Sequence, residues 1–192
     1  MEISGRTRIC GIIGDPVEHS LSPVMHNVAF QELNLDLVYV AFRVKKNELR
    51  EAILGARSLD VHGLNVTMPH KNAVIKYLDE IDPTARSIGA VNTILNDKER
   101  LIGYNTDGAG ALKTLKENGV GLRGKKLLLL GAGGAGKAIA FYVAQEVEEL
   151  KILNRNTQKA KELAQLLRKE FGKKIDGNSL SAEIVKDELE DA

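Results

Sequence analysis

The chain has 192 residues, with 27 Lys and Arg against 26 Asp and Glu, and its formal net charge is +1. An apolar fraction of 43% with 28% charged residues is typical of globular proteins and excludes extensive disorder. The evenly spread, nearly balanced charge argues against a nucleic acid or a membrane surface as partner. A single cysteine excludes an intramolecular disulfide and a cysteine-based zinc cluster. Since the sequence has no long apolar stretch and no secretory start, we expect a cytoplasmic protein that spans no membrane.

Strands and helices alternate along the first part of the chain. Short apolar or β-branched runs predict strands, and apolar side chains at helical spacing predict helices. The predicted elements are, in chain order, a strand at 7–14, a helix at 22–33, a strand at 37–43, a helix at 47–57, a strand at 61–66, a helix at 69–78, a hairpin of strands at 91–95 and 100–104, and a helix at 106–118. Ser22 is expected to be the N-cap of the helix that opens with Pro23.

The composition changes at residues 119–126, which are rich in Gly and Lys. We therefore divide the chain near Leu122 into a domain of residues 1–121 and a domain of residues 122–192. The second domain is predicted to hold strands at 127–130 and 150–153, helices at about 134–147 and 157–171, and a further strand at 174–176. The alternation predicts an α/β fold with mostly parallel sheets.

The second domain has fewer strands than a complete dinucleotide-binding sheet, which usually has about six in two halves. A half-sheet leaves apolar faces uncovered. The sequence is therefore predicted to be incomplete at its C-terminus and to carry the first half of a Rossmann domain.

A glycine-rich loop follows the strand at 127–130 directly. The sequence Gly131-Ala132-Gly133-Gly134-Ala135-Gly136 has the spacing G-x-G-x-x-G between a strand and a helix. These glycines allow a tight turn and the close approach of a pyrophosphate to the helix N-terminus. Residues 131–135 are the predicted cofactor contacts; the alternative is a glycine-rich connection such as any α/β protein can contain.

The end of the next strand predicts which dinucleotide binds. An NAD enzyme places Asp or Glu about 20 residues after the glycine loop, where it accepts a hydrogen bond from the ribose. This chain has Asn154, Arg155 and Asn156 there, followed by Lys159. Arg offers a charged fork to a 2′-phosphate, so we predict NADP and count these four residues among its contacts. The alternative is that Arg155 is an ordinary exposed residue at a strand end.

Polar residues cluster in the first domain where strands meet helices. The members of these clusters are Ser20, Ser22, Asn65, Thr67, Lys71, Asn92, Thr93, Asn105, Thr106 and Asp107. In parallel α/β sheets small ligands bind beyond the C-terminal ends of the strands, so we expect a small-molecule site here. The alternatives are that Ser22 and Thr106 or Asp107 are helix caps and that Lys71 is a surface residue. The histidines lack a metal-ligand spacing, and no metal is predicted.

Together these motifs closely resemble those of the shikimate dehydrogenase family. The resemblance rests on residues 14–23 with His26 and Asn27, on 65–71, 89–93 and 105–108, and on the glycine loop with Asn154 and Arg155. It covers residues 6–171. In two respects the chain departs from the family: Asn156 stands where the family has Thr or Ser, and the family continues beyond residue 192 with further strands, a substrate-contacting Gln and helices.

The resemblance implies reversible reduction of 3-dehydroshikimate to shikimate by NADPH, a step of aromatic amino-acid biosynthesis. It implies that Lys71 and Asp107 are the catalytic residues and that Ser20 and Ser22 bind the substrate carboxylate. The residues that would contact the ring hydroxyls are Asn65, Thr67, Asn92 and Asp107. The parent protein is thus predicted to be an enzyme, whereas these 192 residues by themselves are expected to bind substrate without turnover.

Three other interpretations stay open. One is a quinate/shikimate dehydrogenase that also uses NAD, against which Arg155 argues. Another is a truncated, non-catalytic ligand-binding fragment. The third is a methylenetetrahydrofolate dehydrogenase, which has no reason to carry the Ser20 and Ser22 pair. A homodimer is also left open.

Overall fold

The computed structural model describes residues 3–190. Its strands over these residues are β1 Arg8–Gly14, β2 Leu37–Arg43, β3 Gly63–Val66, β4 Glu80–Ile81, β5 Thr93–Asp97, β6 Arg100–Tyr104, β7 Lys126–Leu130, β8 Glu149–Asn154 and β9 Lys174–Ser179. Its α-helices are α1 Ser22–Glu32, α2 Leu49–Ser58, α3 Pro83–Ile88, α4 Asp107–Glu117, α5 Gly134–Val143, α6 Thr157–Phe171 and α7 Ala182–Glu190. Short 3-10 helices span Lys46–Glu48 and Ala73–Tyr77.

The first compact unit, up to Asn105, is built on one mixed sheet. Its strand order is β2-β1-β3-β5-β6-β4. Strand β1 runs parallel to both β2 and β3, whereas β5 runs antiparallel to β3 and forms the predicted hairpin with β6. Consequently the beginning of β5 lies at the same edge of the sheet as the end of β3.

Apolar side chains cover both faces of this sheet. Helix α2 buries Leu49 and Ile53 against one face, where Ile13 and Val66 of the strands join the same core. On the opposite face Tyr39 belongs to a smaller core cluster. The site described below lies at the edge between these two cores.

The second compact unit begins at Thr106 and carries three parallel strands in the order β7-β8-β9. Helix α6 packs on them through the predicted apolar stripe, of which Ala160, Leu163, Ala164 and Leu167 are buried. The strand predicted at 174–176 is present and extends to Ser179. The predicted α/β fold with mostly parallel pairing is therefore confirmed.

The division between the units differs from the sequence-based division near Leu122. Helix α4 belongs to the second unit because it packs closely on α5. An added Cβ at Gly108 would overlap the backbone of Ala138. That contact was not evident from the Gly- and Lys-rich composition of residues 119–126.

Two local predictions were wrong. The predicted helix at 69–78 is a turn followed by the 3-10 helix, because the Lys71 carbonyl accepts from the distant Val91 amide at 2.8 Å. Ser22 is not the N-cap of α1: that position is Leu21, and no side chain caps the helix. Strand β4 and helices α3 and α7 were not predicted. No helix of the described residues is both long enough and apolar enough to cross a membrane.

Candidate active site

The end of β3 and the start of β5 bring three of the predicted polar residues together. Asn65 lies opposite Thr93 in the antiparallel pair. The Asn65 Nδ2 atom donates to the Asn92 carbonyl at 3.4 Å and to Thr93 Oγ1 at 3.3 Å. Thr93 Oγ1 in turn donates to Asn92 Oδ1 at 3.0 Å. The amide and hydroxyl groups therefore form one connected cluster at the edge of the sheet.

Both backbone polar groups of Asn92 are hydrogen-bonded, and the residue is only 7% exposed. Its amide donates to the Tyr104 carbonyl at 3.0 Å, and its carbonyl accepts from the Val66 amide at 2.8 Å. A buried carboxamide in a fixed place can select a ligand hydroxyl, because an unpaired amide would cost free energy there.

Thr67 and Lys71 lie on the turn that follows β3. The Thr67 amide donates to the Ile13 carbonyl at 2.9 Å, and the Thr67 carbonyl accepts from the His70 amide at 2.9 Å. The buried His70 ring places its Nε2 atom 2.7 Å from the Val44 carbonyl. This turn is tied to β1 and to the end of β2, so the half-buried Lys71 starts from a fixed backbone.

Ser20 and Ser22 lie on the connection between β1 and α1. The Ser22 amide donates to Ser20 Oγ at 3.3 Å. Arg43 secures the start of this connection, since its Nε donates to Asp15 Oδ1 at 2.9 Å and its Nη1 lies 3.6 Å from Glu18 Oε1. Backbone amides of Glu18 and Val17 hold the pKa of the Glu18 carboxyl below its usual range, and Arg43 adds to that effect.

Tyr39 belongs to this edge and was missed from the sequence. Its hydroxyl donates to Asn65 Oδ1 at 2.6 Å. Burial raises the pKa of Tyr39 to about 12, and the nearby Cys10 adds to this, whereas Ser22 opposes it. One signal was available: a tyrosine on the buried face of a strand needs a partner for its hydroxyl.

Asp107 belongs to the second compact unit, whereas the other predicted substrate residues belong to the first. It is the first residue of α4, where a carboxylate interacts favourably with the helix dipole. Asn105, two residues earlier, ends the first unit and donates from Nδ2 to the Ala90 carbonyl at 2.9 Å.

The glycine loop of the second unit has the geometry that its spacing predicts. Gly131 has a φ of 113°, which side chains rarely allow. The Gly131 amide donates to the Leu153 carbonyl at 2.7 Å, which ties the loop to β8. A Cβ at Gly136 would overlap the Gly131 carbonyl, so the start of α5 lies directly against the loop.

The N-terminus of α5 offers backbone donors to an anion. The helix begins at Gly134, and its N-cap Gly133 provides no side chain to accept from the first amides. The first N–H groups of a helix have no acceptor within the helix, and its dipole favours negative charge there. A phosphate fits this position.

The residues after β8 support the loop and add positive charge. Asn154 Oδ1 accepts from the Ala132 amide at 3.2 Å, while its Nδ2 donates to the Asn156 carbonyl at 2.9 Å. Asn156 is the N-cap of α6, because its Oδ1 accepts from the Lys159 amide at 3.2 Å. Arg155 and Lys159 are exposed beside it. The donor set fits a dinucleotide with an extra phosphate on its ribose.

No cluster of three or more His, Cys, Asp or Glu side chains that could hold a metal ion occurs among the residues that the structure describes.

Two family models match the chain. Residues 12–94 match the shikimate dehydrogenase substrate binding domain, and residues 113–188 match shikimate / quinate 5-dehydrogenase. The curated shikimate dehydrogenase (NADP(+)) of Carboxydothermus hydrogenoformans is 52% identical over 164 residues, which are 85% of this chain and 59% of that protein. The chain thus spans about three fifths of the length of this relative.

Solved structures agree with the sequence matches. Shikimate 5-dehydrogenase from Listeria monocytogenes, in complex with shikimate and NAD, has a TM-score of 0.87 and 41% identity, covering 95% of this chain and 64% of that one. Shikimate dehydrogenase from Aquifex aeolicus has a TM-score of 0.87 and 40% identity, covering 97% and 68% respectively. The resemblance that the sequence motifs indicate is confirmed: the chain belongs to the shikimate dehydrogenase family.

Proposed function

We propose that the chain carries substrate- and cofactor-binding residues of an NADP-dependent shikimate dehydrogenase, which reversibly reduces 3-dehydroshikimate to shikimate. The observation that carries the proposal is the connected polar cluster of Asn65, Asn92 and Thr93 with the nearby Ser22. It presents amides and hydroxyls at one edge of the sheet, as a ligand with several hydroxyls and a carboxylate requires.

In this proposal Ser20 and Ser22 bind the substrate carboxylate. A helix N-terminus at Ser22 adds its dipole to their hydroxyl donors, which supports an anion at this place. Asn65, Thr67 and Asn92 bind the ring hydroxyls, and Asp107 is assigned to them by the family resemblance. This substrate-binding part is proposed to extend over residues 1–121, ahead of a partial cofactor-binding part at 122–192. By function it therefore includes α4 with Asp107, although α4 packs within the second compact unit.

Lys71 and Asp107 are the proposed catalytic residues. An ammonium near the substrate carbonyl stabilises the negative charge that develops on its oxygen, and it can donate the proton that the oxygen takes up. The anchored turn that carries Lys71 supports this role, because a catalytic group needs a fixed starting point. Bound NADPH supplies the hydride.

The proposed cofactor site consists of the glycine loop and the residues after β8. Its members are Gly131, Ala132, Gly133, Gly134, Ala135, Asn154, Arg155, Asn156 and Lys159. The α5 N-terminus binds the pyrophosphate, and Arg155 and Lys159 bind the 2′-phosphate of NADP. The family relative from Carboxydothermus hydrogenoformans is an NADP(+) enzyme by name, which supports this choice.

Binding measurements test the two halves of the proposal separately. Titration calorimetry of the 192-residue chain with shikimate should detect binding that Asn92→Ala abolishes and the exposed Asn47→Ala leaves unchanged. Titration with NADP should detect a second, independent site. If shikimate caused no heat and no amide shifts around Ser20 and Asn92, the substrate assignment would be refuted.

A turnover assay then separates an enzyme from a ligand-binding chain. NADPH oxidation in the presence of 3-dehydroshikimate measures catalysis directly, and quinate with NAD serves as the competing pair of substrates. A cytoplasmic location and a homodimer belong to the proposal as expectations, which cell fractionation and light scattering test.

A further inference from the structure

Asn96, near the end of β5, has a buried carboxamide that is not hydrogen-bonded. The residue is only 6% exposed. Its Nδ2 and Oδ1 atoms are both inaccessible to solvent, and neither has a hydrogen-bond partner within residues 3–190. Arg57 Nε is also buried without a partner, but that guanidinium donates from Nη2 to Asp79 Oδ2 at 2.7 Å. In Asn96, by contrast, both polar atoms of the side chain need a partner.

The position of Asn96 on β5 directs its side chain into the core. Successive side chains of a strand point to opposite faces of the sheet, so Asn96 lies on the same face as Ile94. Ile94 is 3% exposed and belongs to the core cluster that also contains Ile53 of α2. The Asn96 amide donates to the His62 carbonyl at 3.0 Å, which fixes the backbone at this point. The pairing of the strands therefore keeps the carboxamide inside the core.

A small cavity lies beside the Asn96 side chain, between α2 and the sheet. Its walls include Ile53 of α2 and both Ile94 and Leu101 of the hairpin, and of the residues that line it only Asn96 has a polar side chain. The volume of the cavity is about 10 Å³. A buried water molecule requires roughly 10–15 Å³ on this measure. The space therefore accommodates a single water molecule and excludes an organic ligand.

We propose that Asn96 binds one water molecule in this cavity. Water both accepts and donates hydrogen bonds, so it can accept from Nδ2 and donate to Oδ1 of the carboxamide. A cation would interact with the oxygen alone and an anion with the amide hydrogens alone, and either charge would be costly among otherwise apolar walls. The bound water offsets the free energy that two buried, unpaired polar groups would cost. It is an integral part of the core beneath α2.

Water–protein Overhauser spectra of the unchanged 192-residue chain test this proposal. The methyl groups of Ile53 and Ile94 exchange no hydrogens with solvent and are buried, so a cross-peak with water reports a water molecule beside them. The side chains that line the cavity carry no hydroxyl whose exchange could imitate this signal. We expect cross-peaks of opposite sign in the laboratory and rotating frames, as a long-lived bound water gives. Ile152, which is equally buried in the second unit, is the control and should show none.

A substitution shows whether the carboxamide holds the water. Asn96→Leu removes both polar atoms at similar volume and should abolish the water signals at the Ile53 and Ile94 methyl groups. Asn47→Leu makes the same change at an exposed position and should leave them in place. Oxygen-17 relaxation dispersion provides an independent count, in which the Asn96→Leu chain should have one long-lived water fewer than the Asn47→Leu chain.

The unchanged chain gives a decisive result even if Asn96→Leu fails to fold. If neither methyl group contacts water, in spectra that do show solvent exchange at exposed amides, the cavity is dry and the proposal is wrong. If the signals persist in a folded Asn96→Leu chain, Asn96 does not hold the water, which also overturns the proposal. Neither measurement involves shikimate or NADP, so the proposed function is tested separately.

Discussion

Gly136 lies directly against the Gly131 carbonyl, at a distance that leaves no room for a methyl group at position 136. The contact closes the glycine loop on the first turn of α5, where the backbone donors for a phosphate are located. We expect Gly136→Ala to push the helix start away from the loop and to weaken NADP binding at least about tenfold, or ~1.4 kcal/mol.

The control for this substitution is Gly110→Ala in α4. An added Cβ there meets nothing within 4 Å, so NADP affinity should be unchanged and stability slightly increased. Calorimetry measures the affinity, and circular dichroism shows whether both variants fold. Undiminished NADP binding by a folded Gly136→Ala chain would contradict the assigned loop geometry.

The exposed Arg155 is expected to distinguish the two nucleotides. Arg155→Ala should weaken NADP binding by about 1.5–3 kcal/mol, the usual value of a charged hydrogen bond, and leave NAD binding nearly unchanged. Arg123→Ala removes an exposed arginine ahead of β7 and is the matched control. Equal losses for NADP and NAD would show that Arg155 does not contact the 2′-phosphate.

Lys71 is expected to contribute more to the chemical step than to binding. In the complete enzyme, Lys71→Gln should lower kcat for NADPH-dependent reduction by about 10²- to 10⁴-fold while KM for the substrate changes little. Lys76→Gln, at an exposed lysine five positions later, should leave both constants unchanged. A raised KM with unchanged kcat would make Lys71 a binding residue.

Glu149 makes the stability of the second unit dependent on pH. A hydrogen bond from Lys174 at 2.7 Å lowers the pKa of this buried carboxyl below its ordinary value of 4.5, although burial raises it. A lowered pKa means that the folded chain binds the proton less well than the unfolded chain does. The stabilisation is therefore complete above about pH 4.5 and is lost as the pH falls through the folded value.

We accordingly expect Glu149→Gln to lower the melting temperature at neutral pH. The difference in melting temperature between the variant and the original chain should shrink as the pH falls. Glu148→Gln removes the same charge from an exposed neighbour and should have little effect at any pH. Thermal melts followed by circular dichroism between neutral and acid pH measure both. A difference that stayed constant with pH would exclude the Lys174 interaction as its cause.

Features whose cause is local could be predicted from the sequence. The glycine loop follows from backbone freedom at a few neighbouring residues, and the apolar stripe of α6 from spacing within one helix. The hairpin of β5 and β6 is likewise local, and its turn has positive φ at Lys98 and Glu99. Sequence spacing contains all the information that these elements need.

Features that depend on distant partners could not be predicted. The helix expected at 69–78 is replaced because the Lys71 carbonyl pairs with Val91. Ser22 does not cap α1, whose N-cap is Leu21, and Tyr39 was missed because its partner Asn65 lies 26 residues away. In the candidate site the sequence pattern predicted that polar residues lie near strand ends, but which of them contact one another depends on the sheet order.

That sheet order also has a consequence for how the chain folds. The hairpin of β5 and β6 closes over a few residues, which takes about 1–10 μs, whereas pairing β1 with β2 requires a crossover through α1. Contacts close in sequence form early and distant ones late.

Leu101→Ala in β6 should therefore slow refolding, and Leu37→Ala in β2 should mainly speed unfolding. Stopped-flow measurements of both variants would test this, and the reverse pattern would contradict it. We therefore expect β5, which begins at Thr93 directly after Asn92, to form before β2 brings Tyr39 to this edge of the sheet.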